Sequence, residues 1–188
     1  IIRIVNIMKK LLILSFFLLS HNVSYANPEV ITALQEGGKL IFIRHALAPG
    51  GGDPDNFNLN DCSTQRNLDK SGISQAKIIG QFFKKNNIKI DQVFSSEWCR
   101  TKETALNAFE DYKTFSALNS FFSSKFAKNR DEQMKDLRNF VNKWDSKKNI
   151  VFVTHYVVIL EALNTTVSSG EIIVADKNYK VIGSIETN

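Results

Sequence analysis

The clearest pattern in the chain is a pair of short, uninterrupted apolar runs, each followed by a histidine. Residues 39–44 contain four apolar residues in a row, end on Arg44 and are followed by His45. Residues 149–154 contain a second such run and are followed by His155. Uninterrupted apolar runs of this length are typical of strands that are buried on both faces of a parallel sheet. The pattern therefore predicts a buried strand at each place.

Outside these two strands, most apolar positions follow the spacing of amphipathic helices. Helices are predicted at residues 28–36, 71–87, 97–109, 131–147 and 156–163. Gly37 closes the first helix, and either Asp69 or Ser71 caps the second. A further strand is predicted at residues 88–95. Residues 113–126 follow no single period, but four apolar side chains there predict buried contacts: Phe115, Leu118, Phe121 and Phe122.

Strands that alternate with helices indicate an α/β fold with a mainly parallel sheet and helices on both of its faces. At the end of the chain, residues 171–175 and 179–185 flank a short polar turn, which predicts a closing hairpin. Residues 46–70 are long, polar and without a period, and such a segment in a compact domain is usually functional or an insertion. The predicted fold is a three-layer α/β/α sandwich with a C-terminal hairpin.

The first 26 residues have the layout of a secretory signal. Met8, the only plausible start, is followed by two lysines, then by the apolar run of residues 11–19, and a small-x-Ala site ends at Ala26. A run of nine residues is too short to cross a bilayer, which needs about 20. We therefore expect cleavage near Ala26, a secreted or periplasmic protein without a membrane span, and a single domain over residues 27–188.

The positive charge of the chain falls when this segment is removed. The full sequence has a net charge of +5, whereas residues 27–188 carry 21 Lys and Arg against 19 Asp and Glu. No basic run interleaved with aromatic residues appears, so a nucleic-acid partner is not expected.

Cys62 and Cys99 are the two cysteines of the chain. In an exported protein an even number of cysteines favours a disulfide, although two separate buried thiols remain an alternative. Neither cysteine has a His or Cys neighbour at metal-binding spacing, so no metal site is predicted.

Charged and nucleophilic residues follow three of the predicted strands. His45 and His155 lie at the C-terminal ends of two strands, where open α/β sheets bind ligands. Arg44 precedes the first histidine. Arg100 falls in the first turn of the helix that follows the predicted strand at residues 88–95. The planar guanidinium group of arginine matches phosphate oxygens bidentately. We therefore predict a phosphate site built from these four residues, although Arg100 could instead pair only with a glutamate of its own helix.

Three segments together resemble the histidine phosphatase superfamily, also called phosphoglycerate-mutase-like. They are Ile43-Arg44-His45-Ala46, Ser95-Ser96-x-x-x-Arg100-Thr101 and Val153-Thr154-His155. Gln65-Arg66-Asn67-Leu68, Gly72-x-x-Gln75-Ala76 and Glu103-Thr104-Ala105 extend the similarity over most of residues 27–188. With Asp61-Cys62 and Cys99-Arg100, the chain looks most like the exported members that carry a cysteine pair.

The resemblance implies a metal-independent phosphatase that needs no cofactor and works in two steps. His45 would be the nucleophile and form a phosphohistidine, which water then cleaves, while Arg44, Arg100 and His155 would hold the phosphoryl oxygens. The substrate would be a phosphorylated small molecule or a phosphorylated surface component. A bridge between Cys62 and Cys99 would hold the long loop beside Arg100.

The chain departs from the family pattern at the acid that protonates the leaving group. Residues 117–128, where many members carry this acid, contain no Asp or Glu, and Tyr156 stands where other members have an acid after the second histidine. The possible substitutes are Asp53, Asp55, Asp131 and Glu132. General acid catalysis contributes about 10²–10⁴-fold, so an enzyme without it would favour good leaving groups such as phosphoramidates or acyl phosphates.

Two alternatives to a phosphomonoesterase remain open from the sequence. The missing acid suits a catalytically idle phosphate-binding module. It also suits a phosphohistidine protein phosphatase, whose phosphoramidate substrate needs little acid catalysis.

Overall fold

The computed structural model describes residues 27–187. The predictions made for residues 1–26, including the start at Met8 and the cleavage near Ala26, lie outside the described residues.

A six-stranded sheet forms the centre of the described chain. Its strands are β1 (Leu40–Arg44), β2 (Ile90–Ser95), β3 (Lys113–Thr114), β4 (Asn149–Thr154), β5 (Ile172–Ala175) and β6 (Val181–Ile185). They lie in the order β3-β2-β4-β1-β5-β6. The first four of these are mutually parallel, β5 runs antiparallel to β1, and β6 runs antiparallel to β5. The sheet is therefore mixed, with the two predicted histidine strands side by side near its middle.

Six helices lie between the strands in the described residues. They are α1 (Pro28–Glu36), α2 (Lys70–Lys85), α3 (Cys99–Phe109), α4 (Ser124–Ala127), α5 (Arg130–Lys143) and α6 (Tyr156–Leu163). The carboxylate of Asp69 accepts a hydrogen bond from the amide of Gly72 at 2.8 Å, so Asp69 rather than Ser71 caps α2. Helix α5 ends four residues before the predicted position because Trp144 is already extended, with ψ 137°.

Apolar side chains cover both faces of the sheet. Along β1, alternate residues point to opposite faces, as the two-residue period of a strand requires. Ile41 and Ile43 pack with buried residues of α1, α2 and α3, whereas Leu40 and Phe42 pack with buried residues of α5 and α6. All four side chains are fully buried. Helices therefore pack against both faces of the sheet at β1 and β4, and this packing positions the residues at the ends of these strands.

Helices α2 and α3 approach each other at Gly80. A Cβ atom at this position would lie 2.2 Å from the carbonyl oxygen of Ala108 in α3. Only glycine fits there, because the contact is made by backbone and cannot be relieved by a side-chain rotation.

The segment that followed no period has a mixed outcome. Leu118 and Phe121 are buried and Phe115 packs partly against the core, as predicted. The prediction for Phe122 is wrong, because its side chain is 72% exposed. Among residues 27–187, no helix combines the length and the apolar character needed to cross a membrane.

Candidate active site

One cavity of about 570 Å³ opens at the C-terminal ends of β1 and β4. Arg44, His45, Arg100 and His155 all line it. Arg44 of β1 lies opposite Thr154 of β4 in the parallel register, so the two histidines that follow emerge side by side. Their ring centroids are 5.6 Å apart. The structure thus brings the four predicted residues together in one place.

The ring of His45 has a defined orientation. It is 2% exposed, and its Nδ1 lies 2.8 Å from the carbonyl oxygen of Ala46. A carbonyl oxygen only accepts hydrogen bonds, so Nδ1 carries the proton and Nε2 keeps its lone pair. The amide of Ala46 in turn donates to the hydroxyl of Thr104 on α3 at 3.0 Å. These contacts hold the imidazole as the tautomer whose Nε2 carries a lone pair.

His155 is held by a hydroxyl group rather than by a carboxylate. Its Nε2 shares a hydrogen bond of 2.8 Å with Oγ of Ser96, and the ring is 3% exposed. Ser96 Oγ also accepts a hydrogen bond from the amide of Trp98 at 3.2 Å and shares one of 2.9 Å with the hydroxyl of Thr101. Ser96 directly follows the last residue of β2, and its contact with His155 is a role that the sequence did not indicate.

Burial and positive charge both favour the neutral form of the two imidazoles. The pKa of His45 lies well below its usual value, mainly because of burial and next because of the charge of Arg100. The pKa of His155 is lowered well below its usual value by the same two causes, in the same order. Smaller contributions to both come from Arg44 and Arg66. Both rings are therefore neutral at neutral pH, as a nitrogen nucleophile must be.

Arg100 does not pair with a glutamate of its own helix. Its Nη1 and Nη2 donate to the two carboxylate oxygens of Asp53, at 2.7 and 3.2 Å. The indole Nε1 of Trp98 donates to the same carboxylate at 3.0 Å, and so does the amide of Arg66 at 3.1 Å. Burial alone raises the pKa of Asp53, but these hydrogen bonds and the charge of Arg100 outweigh it and hold that pKa below its usual range.

Arg44 lies at the wall of the cavity. Its Nη1 donates to the carbonyl oxygen of Val167 at 2.9 Å, and its guanidinium carbon lies 5.6 Å from the ring centroid of Tyr156. Burial is the main cause that lowers the pKa of Arg44, and the charge of Arg100 adds to it. The ring of Tyr156 therefore forms part of the cavity wall beside this arginine.

Arg66 is a third arginine in the cavity that the sequence did not assign to the site. Its Nη1 donates to the carbonyl oxygens of Ala48 and Gly50, the latter at 3.0 Å. Burial and the nearby charge of Arg100 lower its pKa. The family resemblance includes the segment Gln65-Arg66-Asn67-Leu68 and could have pointed to this arginine. The hydrophobic pattern could not, because a long polar loop has no period from which to place a residue.

The Nε atoms of the three arginines share one property. In Arg44, Arg66 and Arg100 this nitrogen is buried and has no hydrogen-bond partner within residues 27–187. A buried donor without an acceptor is costly, by about 1–3 kcal/mol. All three side chains line the same cavity, and their combined positive charge suits a ligand that carries several acceptor oxygens.

The loop that carries Asp53 and Arg66 is tied to the start of α3. Cys62 and Cys99 form a disulfide, with their Cα atoms 5.7 Å apart. The side-chain oxygen of Gln65 accepts a hydrogen bond from the amide of Cys99 at 2.9 Å. Cys99 directly precedes Arg100 and Gln65 directly precedes Arg66, so these contacts set the position of the loop relative to Arg100.

The four acids considered as proton donors lie in different places. Asp53 and Asp55 line the cavity, whereas Asp131 and Glu132 are exposed on α5 and do not line it. Across the described part of the chain, no group of three or more His, Cys, Asp or Glu side chains is placed to hold a metal ion.

Comparisons with known proteins support the fold. No family model matches the sequence, and no curated protein matches it. Among solved structures, the protein histidine phosphatase SixA complexed with tungstate matches with a TM-score of 0.57 at 11% identity, over 79% of this chain and 97% of SixA. Phosphoglycerate mutase from Thermus thermophilus matches with a TM-score of 0.56 at 14% identity, over 80% of this chain and 99% of the mutase.

These neighbours are histidine phosphatase superfamily members, and identities this low establish similarity of fold only. The fold of the chain is therefore a mixed α/β fold similar to phosphoglycerate-mutase-like structures.

Proposed function

We propose that the protein is a phosphatase that transfers a phosphoryl group to Nε2 of His45 and then to water. The observation that carries this proposal is the combination of a neutral imidazole, with its lone pair on Nε2, and three arginines around one cavity. A phosphoryl group carries negative charge on its oxygens, and its transfer needs mainly positioning and charge stabilisation. The similarity of the fold to SixA, which is described as a protein histidine phosphatase, agrees with the proposal.

The two steps can be written on residues of this chain. In the first, the lone pair of His45 Nε2 forms a bond to phosphorus, and the bond from phosphorus to the leaving group breaks with its electron pair. In the second, the oxygen of water forms a bond to phosphorus and the nitrogen–phosphorus bond breaks. The electron pair of that bond returns to Nε2, phosphate is released, and the proton lost by water passes to solvent. Arg44, Arg66, Arg100 and His155 are the groups that would hold the phosphoryl oxygens in both steps.

The leaving group must gain a proton unless it is stable as an anion. Asp53 is the acid nearest to Arg100, but its ion pair keeps it deprotonated. We therefore propose that phosphoramidates and acyl phosphates react faster than alkyl phosphates. Phosphohistidine in a protein is a phosphoramidate, so a phosphohistidine phosphatase is the second candidate function.

We also propose that residues 1–26 act as a secretory signal and that the domain of residues 27–188 works outside the cytoplasm. The disulfide between Cys62 and Cys99 supports this proposal, because disulfides persist in oxidising compartments. N-terminal sequencing of the protein recovered from the exported fraction of expressing cells tests it. A start at residue 27 agrees with the proposal, and an uncleaved chain retained in the cytoplasm contradicts it.

Turnover of 4-nitrophenyl phosphate and acetyl phosphate tests the phosphatase. We expect the wild-type protein to hydrolyse both and His45→Ala to hydrolyse neither. Arg100→Ala should lose about 10²–10³-fold in kcat, the usual effect of removing one group that stabilises transition-state charge. Arg138→Ala is the matched control, because Arg138 is exposed on α5 and does not line the cavity.

The covalent step has its own measurement. When the reaction is stopped rapidly without acid and the protein is analysed by mass spectrometry, a phosphoryl group should be found on His45. Turnover that survives His45→Ala contradicts the nucleophile, and a wild-type protein that binds phosphate without turnover is an idle binding module.

A further inference from the structure

The cavity contains aromatic side chains that the proposed phosphoryl transfer does not use. Phe57, Trp98, Phe122 and Phe126 all line it, and we call these four the aromatic rim. They come from three separate segments of the chain: the long loop, the residue before α3, and the segment around α4. Their meeting in one cavity is therefore a product of the tertiary fold.

Three members of the aromatic rim pack into one block. Phe57 stacks on Trp98 with ring centroids 5.2 Å apart and an interplanar angle of 24°. Phe126 meets both of them edge to face, at 5.7 Å from Phe57 and 5.6 Å from Trp98. These distances are typical of favourable aromatic pairs, so the three rings stabilise one another.

The block reaches the reacting groups directly. The ring of Trp98 lies 5.3 Å from that of His155, in an edge-to-face arrangement. Trp98 also donates from Nε1 to Asp53, which is paired with Arg100. A ligand whose phosphoryl group contacts the arginines would therefore have an aromatic surface within reach of its remaining part.

Phe122 is the member of the rim that lacks protein around it. Its side chain is 72% exposed although it lines the cavity, whereas Phe121 beside it is 8% exposed. An exposed phenylalanine at the mouth of a cavity is unfavourable in water unless another apolar group covers it. Its position at the mouth of the cavity makes the leaving group of a bound substrate a natural cover.

The size of the cavity also exceeds what a phosphoryl group needs. Cavities of a few hundred cubic ångströms hold whole drug-sized ligands, and this one has a volume of about 570 Å³. Its cationic part, with the three arginines, matches an oxyanion, and its aromatic part, where Lys125 Nζ lies 5.6 Å from the ring centroid of Phe126, matches a planar group. The two parts together describe a ligand with a charged end and a ring.

We infer that the substrate is a phosphoryl compound whose leaving group carries a ring that packs on the aromatic rim, with Phe122 as a determinant of specificity. This inference rests on the proposed function, because it assigns the leaving-group side of the same cavity. It predicts that ring-bearing ligands bind more tightly than ring-free ligands of equal charge.

Phosphonates test this inference without turnover, because their carbon–phosphorus bond is not cleaved by phosphoryl transfer to histidine. Methylphosphonate, n-butylphosphonate and benzylphosphonate carry the same head group and differ in what is attached to it. Their dissociation constants would be measured by calorimetry on the purified protein with its disulfide intact. We expect benzylphosphonate to bind about threefold to tenfold more tightly than either alkylphosphonate, the range for an aromatic contact.

Variants of Phe122 test whether its ring is responsible for the preference for benzylphosphonate. In Phe122→Ala the preference for benzylphosphonate over methylphosphonate should fall by about threefold to tenfold. In Phe122→Tyr, which keeps the ring, the preference should be retained. Leu106→Ala is the matched control, because Leu106 is an apolar side chain, 53% exposed, that does not line the cavity.

The outcomes separate this inference from the proposed function. If all three phosphonates bind with similar affinity, or n-butylphosphonate equals benzylphosphonate, the ring is not recognised and the inference is wrong while the oxyanion site stands. If Phe122→Ala keeps the full preference for benzylphosphonate, the assignment of specificity to Phe122 is wrong. If neither the phosphonates nor inorganic phosphate binds, both the inference and the proposed function fail.

Discussion

Lowering the pH should destabilise this protein through His45 and His155. Both imidazoles have a pKa well below the usual value of 6.5 in the folded state, because they are buried beside arginines. Below pH 6.5 the unfolded chain therefore binds more protons at these two sites than the folded chain does. Stability then falls as the pH decreases from 6.5 toward the folded-state pKa values.

The slope of this loss follows from the number of groups involved. One proton of difference between the folded and unfolded states changes the free energy of unfolding by about 1.36 kcal/mol per pH unit. Two histidines that are neutral when folded therefore contribute about 2.7 kcal/mol per pH unit once the pH is well below 6.5. Asp53 does not contribute in this range, because its lowered pKa places its titration at more acidic pH.

Urea unfolding at about pH 7.5, 6.5 and 5.5, in buffers without phosphate, measures the slope. His45→Asn and His155→Asn should each remove about half of the slope, because each variant removes one titrating group. Glu103 adds a background that the wild type and both variants share. Burial raises its pKa, so it contributes a smaller slope of the opposite sign. A wild-type slope near zero, or one that both variants leave unchanged, would refute the claim that the two imidazoles are neutral and buried.

Three further perturbations have defined outcomes. Replacing both bridged cysteines with serine should lower the free energy of unfolding by about 4 kcal/mol at most, from the 37-residue separation that the bridge closes, as urea unfolding would show. Asp53→Asn leaves Arg100 with a weaker partner. It should therefore cost about 1–3 kcal/mol of stability and strengthen phosphate binding in calorimetry, and weaker phosphate binding would contradict this. Gly80→Ala should cost about 1–3 kcal/mol by thermal unfolding, whereas Gly51→Ala, with no atom within 4 Å of its new Cβ, should not.

The central strands were predictable because their residues are apolar without interruption. Such runs lie in the middle of a sheet, and neighbouring parallel strands end at the same edge. That rule predicted His45 and His155 at the same edge of the sheet, and the structure adds that β1 and β4 are neighbours. The position of Arg100 in the first turn of a helix after β2 followed from the same reasoning and from the helical period of residues 97–109.

The long loop was not predictable to the same degree. Its path is fixed by contacts between residues distant in sequence, such as the disulfide of Cys62 with Cys99 and the hydrogen bond of Gln65 with the amide of Cys99. No local period encodes such contacts. The sequence could therefore name Asp53 as a candidate acid, but it could not show that the carboxylate pairs with Arg100.

Neighbouring phenylalanines illustrate a second limit. Phe121 and Phe122 have the same side chain, and only one of them can face the core when the chain is extended. Composition cannot decide which one does so, and the segment has too little regular structure for a period to decide it. The structure buries Phe121 and exposes Phe122 at the cavity.

The positive charge of the cavity has different consequences for the two histidines and for Asp53. Arg100 lowers the pKa of both histidines, which keeps Nε2 of His45 available as a nucleophile. The same guanidinium group, through its hydrogen bonds and charge, lowers the pKa of Asp53 and keeps that carboxyl group from carrying a proton. In the proposed reaction, a cavity dominated by cations would therefore favour attack on phosphorus, while Asp53 would give little help to the departing group. Substrates whose leaving group is already a weak base would suit such a site, which is the physical basis of the proposed preference for phosphoramidates and acyl phosphates.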